Sequence, residues 1–181
     1  MLKKVLLAVV VLLVIVFGIV PAFMPASVTI ERSVTVDAPA GVVFPIVNDL
    51  KNWEDWSPWK EKDPSMVITY TENTVGAGSE YSWVGEESGE GTMRITASQP
   101  TESISTEVEF KGMGNAKGNF TFMESDASTK VTWAFASDLD TPPWISRLLG
   151  PMIESGVGAD FERGLANLKE KAESMPVLPD I

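Results

Sequence analysis

The chain has 181 residues, 44% of them apolar, which is enough for one globular domain with a single core. Its 14 basic and 25 acidic residues give a net charge of −11, and this acidity disfavours binding to nucleic acid. Because cysteine and histidine are both absent, disulfides, thiolate or histidine metal sites and a Ser-His-Asp triad are excluded. We expect no metal and no cofactor, and any enzymatic mechanism would have to use carboxylates, Lys, Tyr or Ser.

The N-terminus is predicted to form a transmembrane helix. The run from Val5 to Met24 contains no charge, and a helix of this length spans roughly 30 Å, the thickness of the hydrocarbon core of a bilayer. Lys3 and Lys4 precede the run, so the positive-inside rule puts the N-terminus in the cytoplasm and the rest of the chain on the extracytoplasmic side. A cleaved signal peptide is the alternative, although residues 22–26 offer no clean small-x-small cleavage site. We therefore predict a single-pass anchor and linker at residues 1–26, with the membrane as a partner through residues 5–24.

The remaining chain is predicted to be one domain at residues 27–175, followed by a short tail at 176–181. Its first strand alternates apolar and polar residues from Val28 to Val36, and Asp37-Ala38-Pro39 then predicts a turn and an N-cap for a helix from about Ala40 to Leu50. A tryptophan-rich segment follows, NWEDWSPW at 52–59. Regularly spaced turn residues next indicate six short strands, at about 67–71, 79–84, 91–98, 103–110, 117–124 and 129–137. The last predicted element is a long helix, from about Pro143 to Glu173.

This order of elements predicts an α+β fold. Seven strands joined by tight turns form an antiparallel sheet, and the alternation within them makes one face of the sheet apolar. The C-terminal helix is the only predicted element long enough to cover that face. We therefore expect a helix-grip fold, in which a curved seven-stranded sheet wraps around the long C-terminal helix, preceded by one transmembrane helix.

Four stretches of the sequence carry a family resemblance: RSVTVDAP at 32–39, VNDLKNWEDWSPWKEKDP at 47–64, TKVTWAFASD at 129–138 and FERGLANLKEKAE at 161–173. Together they resemble the START-like or SRPBCC superfamily, and within it the polyketide cyclase/dehydrase and lipid-transport branch. The resemblance covers about Val28 to Ala172. It implies a deep apolar cavity between the sheet and the C-terminal helix that holds a lipid, sterol, polyketide or plant hormone, and it assigns no catalytic residue to this chain.

The candidate ligand-contacting residues are mostly large side chains on the apolar face of the predicted sheet. They comprise Trp56, Trp83, Met93, Phe110, Phe120, Phe122, Trp133, Met152 and Gly156. The aromatic members bury large areas and often line apolar pockets. Each large side chain is either cavity wall or filled core, because an inward position does not reveal whether the space above it is occupied. Gly156 and Gly158 in the last helix would leave space toward the sheet.

Three functional hypotheses follow. The leading one is a membrane-anchored, non-catalytic domain that binds an apolar small molecule or a lipid. The second is a polyketide cyclase/dehydratase-like enzyme that uses cavity carboxylates or Tyr; Asp49, Glu54 and Asp55 are candidates, although solvated loop charges are the more ordinary interpretation. The third is a protein-interaction module resembling chaperone-ATPase activator domains. The oligomeric state is left open.

Overall fold

The computed structural model describes residues 2–15, 28–112, 114–139 and 143–175. An N-terminal helix, α1 (Leu2–Val14), precedes the domain, which runs in the order β1 (Val28–Val36), α2 (Ala40–Asn48), a 3-10 turn (Leu50–Asn52), α3 (Trp53–Trp56), α4 (Trp59–Lys62), β2 (Val67–Tyr70), β3 (Glu80–Gly85), β4 (Gly89–Gln99), β5 (Ser103–Phe110), β6 (Gly114–Ser125), β7 (Ser128–Leu139) and α5 (Pro143–Ser174).

The seven strands form one antiparallel sheet in the order β1-β7-β6-β5-β4-β3-β2. Strands β2 to β7 follow one another as a meander, and β1 closes the sheet by pairing with β7. Helix α5 packs against β1 and also contacts α3 and β7. The predicted α+β helix-grip arrangement of sheet and C-terminal helix is confirmed.

An aromatic cluster joins α5 to the sheet. The Trp133 ring on β7 stacks on Phe161 of α5, with ring centroids 3.7 Å apart and an interplanar angle of 9°. On its other side Trp133 stacks on Phe120 of β6 at 4.9 Å. Gly164 allows the helix to come this close, because a Cβ there would lie 3.2 Å from Cζ3 of Trp133 and 3.1 Å from Cδ of Pro58. Burial of these large rings stabilises the grip of the sheet on the helix.

Helix α2 begins where the sequence predicts, but it is capped by an unexpected group. Asp37 does not cap the helix: the N-cap residue is Pro39, which makes no side-chain capping bond. The backbone N–H of Ala40 instead donates to Oε2 of Glu124 on β6, at 2.6 Å. The position of the N-cap thus agrees with the prediction, but the capping group could not be predicted, because it comes from a distant strand and sequence signals for caps are local.

The predicted membrane anchor is only partly covered by the structure. Helix α1 accounts for residues 2–14, and six of its large apolar side chains and the next residue, Ile15, are 41–64% exposed. Within the ranges that the structure describes, no helix is both long enough and apolar enough to cross a membrane. The second half of the predicted anchor and its linker, residues 16–27, lie outside the described residues, as does the predicted tail at 176–181. The anchor and the domain boundaries stay predictions.

Candidate functional site

A cavity of about 430 Å³ lies between the inner face of the sheet and α5, within the size range of small-molecule pockets. Its wall is mostly apolar. It is lined by Trp53, Trp59, Lys62, Asp63, Met66, Tyr81, Trp83, Glu87, Ser88, Met93, Thr106, Val108, Phe110, Gly118, Trp133, Phe135, Val157 and Phe161.

Small residues in the middle of the sheet make this space. In one row across the strands, Thr106 of β5 pairs with Gly118 of β6, and in the neighbouring row Val108 pairs with Ala116. Gly118 must lack a side chain, because a Cβ there would overlap the hydroxyl oxygen of Thr106. Since larger residues flank these rows, the inner face is hollow at its centre and the helix above it cannot fill the gap.

Aromatic rings form the two ends of the cavity. At one end lie Trp53, Trp133 and Phe161, of which Trp53 is fixed by a hydrogen bond from its Nε1 to the carbonyl oxygen of Val47 at 2.8 Å. At the other end Trp83 and Phe110 meet edge to face, with centroids 5.8 Å apart. An apolar ligand placed between these ends would touch aromatic surface on both sides.

Two hydroxyl groups interrupt the apolar wall. Tyr81 on β3 and Thr106 on β5 are only 8% and 4% exposed, and both line the cavity. Among the described residues, neither hydroxyl has a hydrogen-bond partner. Burial raises the pKa of Tyr81 well above its usual value, so this side chain stays protonated at neutral pH.

Asp63 is a buried carboxylate on the cavity wall, 2% exposed. Its Oδ1 accepts hydrogen bonds from the backbone N–H of Ser65 at 3.1 Å and from the Ser65 hydroxyl. Its Oδ2 accepts from the N–H of Glu87 at 3.1 Å, the N–H of Ser88 at 2.9 Å and the Ser88 hydroxyl at 2.6 Å. These donors, the Ser65 and Ser88 side chains first, hold the pKa of Asp63 far below its usual value. Asp63 thus ties the end of α4 to the β3–β4 turn and has no acceptor position left for a substrate.

The mouth of the cavity lies beside α4. Lys62 is half exposed and pairs with Asp160 of α5 at 2.7 Å. Arg163 of α5 forms a second ion pair with Glu61 at 3.1 Å. These exposed pairs contribute little to stability individually, but together with Asp63 they attach α4 to both α5 and the β3–β4 turn.

Four of the sequence-predicted ligand-contacting residues line the cavity, namely Trp83, Met93, Phe110 and Trp133. Three others are buried in the filled core, namely Trp56, Phe120 and Phe122. The reason is that α2 and α3 cover that end of the sheet: Phe44 packs on Phe122 at 5.4 Å, and Trp56 packs on Trp133 at 5.7 Å. Gly156 is exposed on α5 and is not part of the wall, while the side chain of Met152 lies outside the described residues.

The candidate catalytic carboxylates near the tryptophans also lie away from the cavity. Glu54 pairs with Lys60 and accepts a hydrogen bond from the Tyr70 hydroxyl at 2.9 Å, and these contacts, that with Lys60 first, lower its pKa. Asp55 pairs with Lys171 of α5. Asp49 accepts a bond from the backbone N–H of Lys51 at 3.1 Å. In the part of the chain that the structure describes, no group of three side chains is arranged to hold a metal ion.

Several wall residues were not predicted. Tyr81 lies on the same strand face as Trp83, and Thr106 and Val108 lie on the same face as Phe110. Alternation therefore places all three on the inner face of the sheet. Size alone favours the largest aromatic side chains as cavity wall and does not distinguish these three. Gly118 gave no signal of this kind, since a glycine within a strand looks the same whether it opens a cavity or weakens an edge.

The fold and the cavity define a class, a helix-grip domain with an apolar pocket between sheet and helix. The sequence profile of the family described as "Polyketide cyclase / dehydrase and lipid transport" matches residues 27–173, and the chain belongs to this family. No curated protein matches the sequence at a significant level.

Solved structures show the same fold at low sequence identity. A protein from Chromobacterium violaceum aligns with a TM-score of 0.59 and 17% identity, over 81% of this chain and 98% of the other. The ZhuI aromatase/cyclase from Streptomyces sp. R1128 aligns with a TM-score of 0.59 and 18% identity, over 81% and 94%. The di-domain aromatase/cyclase BexL of the BE-7585A pathway aligns with a TM-score of 0.60 and 18% identity, over 84% and 52%.

Proposed function

We propose that this chain binds an apolar small molecule or a lipid in the cavity between the sheet and α5, and that binding rather than catalysis is its role. The cavity of about 430 Å³ with its aromatic wall carries the proposal. Each methylene group that moves from water into such a cavity contributes about 0.8 kcal/mol, so a chain of about ten provides a large gross driving force. The cost of ordering the ligand reduces this gain, and a pre-formed cavity keeps that cost low.

An enzyme of the cyclase or dehydratase kind is the alternative, and two of the similar structures are named aromatase/cyclase. Such chemistry needs an acid or base within reach of the bound molecule. The carboxylate of Asp63 already accepts five hydrogen bonds from the protein. The Tyr81 hydroxyl has no acid or base bonded to it, among the described residues, that could take up its proton. These observations support binding as the function.

Uptake can be measured on the delipidated full-length chain by native mass spectrometry. The chain is incubated separately with a fatty alcohol, a fatty acid, a phospholipid and a sterol. We expect a one-to-one complex with at least one of them. If the chain stays free of every member of this panel while its fold is intact, the proposed function is wrong.

We also propose that the N-terminal segment anchors the domain in a membrane and that the cavity exchanges its ligand there. Val28, where the chain enters the sheet, lies in the same cross-strand row as the cavity residues Tyr81, Met93 and Val108. The β3–β4 turn at the cavity mouth lies at the same end of the sheet as Val28. Helix α1, with its exposed apolar side chains, precedes Val28 in the chain. The open end of the cavity would then face the membrane.

Cell fractionation tests the anchor separately from the ligand. We expect the chain to stay in the membrane pellet after an alkaline carbonate wash, because an apolar helix holds it there. Replacing Val9 and Val10 by Asp should release it, since each charge opposes insertion. A matched pair of charges on the domain surface, Val67→Asp and Val84→Asp, should not. Release of the wild-type chain by the wash would rule the anchor out.

A further inference from the structure

We propose that the cavity selects an uncharged ligand that carries a hydroxyl or carbonyl oxygen, bound by the hydroxyl groups of Tyr81 and Thr106, over a carboxylate of the same length. This inference rests on the proposed function and names the class of ligand that the same cavity takes.

The two hydroxyl groups are the reason for requiring an oxygen in the ligand. Tyr81 and Thr106 are more than nine-tenths buried as residues, and they face the same cavity from β3 and β5. No protein hydrogen bond to either hydroxyl is seen in the described ranges, where the buried polar side-chain atom left unpaired is Nε1 of Trp56, so both hydroxyls open onto the cavity. Hydroxyl groups that open onto a cavity can bond water, and a ligand that displaces this water without replacing its hydrogen bonds loses affinity. A ligand oxygen that accepts from Tyr81 or bonds Thr106 would replace those hydrogen bonds.

The charges around the cavity are the reason for excluding a carboxylate. Lys62 is the one cationic residue among the described wall residues, and it lies at the mouth, where Asp160 already neutralises it. The other charged wall residues, Asp63 and Glu87, are acidic. An anionic head group would lose its hydration and gain no cation in return, which is strongly unfavourable in an apolar site. The net charge of −11 opposes an anionic ligand further.

A second tyrosine provides an internal comparison. The Tyr70 ring packs against Tyr81 with centroids 5.9 Å apart, yet the Tyr70 hydroxyl donates to Glu54 at 2.9 Å and Tyr70 is not part of the cavity wall. Removing the Tyr70 hydroxyl therefore changes a surface hydrogen bond next to the cavity, whereas removing the Tyr81 hydroxyl changes the wall itself.

Isothermal titration calorimetry of the delipidated full-length chain at pH 8 tests the inference with two probes of equal length, 1-decanol and decanoate. We expect 1-decanol to bind the wild-type chain at least tenfold more tightly than decanoate. Tyr81→Phe and Thr106→Val keep the shape of the wall and remove one hydroxyl each, so at least one of them should weaken 1-decanol binding about three- to tenfold, the effect of one neutral hydrogen bond. Tyr70→Phe, the matched control, should leave it unchanged.

The outcomes separate this inference from the proposed function. Decanoate binding as tightly as 1-decanol, unchanged 1-decanol affinity in both cavity variants, or no 1-decanol binding to the wild-type chain would each overturn the inference. The proposed function would survive any of these as long as one apolar molecule of the native mass spectrometry panel binds. If a variant fails to fold, the comparison of the two probes on the wild-type chain still decides.

Discussion

Asp63 shows how a single acidic residue on a cavity wall can be structural. Its five hydrogen bonds come from two segments that are distant in sequence, Ser65 on one side and Glu87 with Ser88 on the other. Gly85 is required beside it, because a Cβ at that position would overlap the Asp63 carboxylate. The residue therefore shapes the mouth of the cavity by connecting α4 to the β3–β4 turn.

Asp63→Asn should destabilise the protein at neutral pH and change its response to acid. The amide would put an N–H₂ group against donors, leaving buried N–H groups unpaired, so we expect the melting temperature at pH 7 to fall by several degrees. The pKa of Asp63 is lower in the folded state than its ordinary value of 3.8. The carboxylate therefore stabilises the fold fully above about pH 4 and progressively less as the pH falls below that.

Thermal melts from pH 7 to pH 2 measure both effects. The wild-type melting temperature should fall more steeply below about pH 4 than that of Asp63→Asn, which lacks this carboxylate. Asp126→Asn is the matched control: Asp126 is exposed in the β6–β7 turn with a φ of 55°, which Asn also adopts readily. Equal melting temperatures of Asp63→Asn and wild type at pH 7 would contradict the structural role.

At the scale of elements, the glycines of α5 at 156, 158 and 164 divide into two kinds. Gly164 packs closely against Trp133 and Pro58, which a Cβ would push aside. At Gly158 a Cβ would overlap the guanidinium of Arg32, which pairs with Glu162 at 2.8 Å. Gly156 is different, because it is exposed and no described atom lies within 4 Å of the Cβ it lacks. The close packing of α5 on the core therefore depends on Gly164, whereas no contact in the described residues requires a glycine at position 156.

Two substitutions test this division by chemical denaturation. Gly156→Ala should raise the free energy of unfolding by about 0.5–1 kcal/mol, since Ala is the better helix former and meets no steric conflict. Gly164→Leu should lower it by about 1–3 kcal/mol, since the new side chain must displace aromatic rings of the core. A stabilising Gly164→Leu would show that α5 does not pack on Trp133 as described.

The elements that the sequence predicts well are those with a local signal. Alternation identified the strands, including the inward position of Trp133, and apolar spacing identified α5 almost to its ends. What the sequence could not reveal depends on contacts between distant segments. The cap of α2 comes from Glu124 on β6, and the filling of the space above Phe120 comes from α3. Whether an inward residue lines a cavity or a core is decided by such contacts.

The same limit applies to the candidate site. Of the eight aromatic residues on its wall, size and alternation identify three, Trp83, Phe110 and Trp133, and they also identify Met93. Its polar groups were not singled out, because Thr106 looks like an ordinary strand residue until Gly118 opposite it is seen to leave space.

For the whole molecule, the sheet and α5 enclose the cavity because the centre of the sheet carries small residues while its two ends carry aromatic rings. Helix α5 packs on β1 and β7 and closes the cavity with Val157 and Phe161. The cavity is thus formed by the fold of the chain itself, and a cavity that needs no rearrangement to accept its ligand lowers the cost of binding.

The most direct test is to fill the cavity and measure ligand binding. Val108 is on the cavity wall, and Val84 is 57% exposed and not part of that wall. Titration with the neutral fluorescent probe N-phenyl-1-naphthylamine should show one site in the wild-type chain. We expect Val108→Trp, which places an indole in the cavity, to weaken probe binding at least tenfold, and Val84→Trp, the matched control, to leave it unchanged. Wild-type affinity in Val108→Trp would contradict the account, because the ligand would then bind outside the cavity.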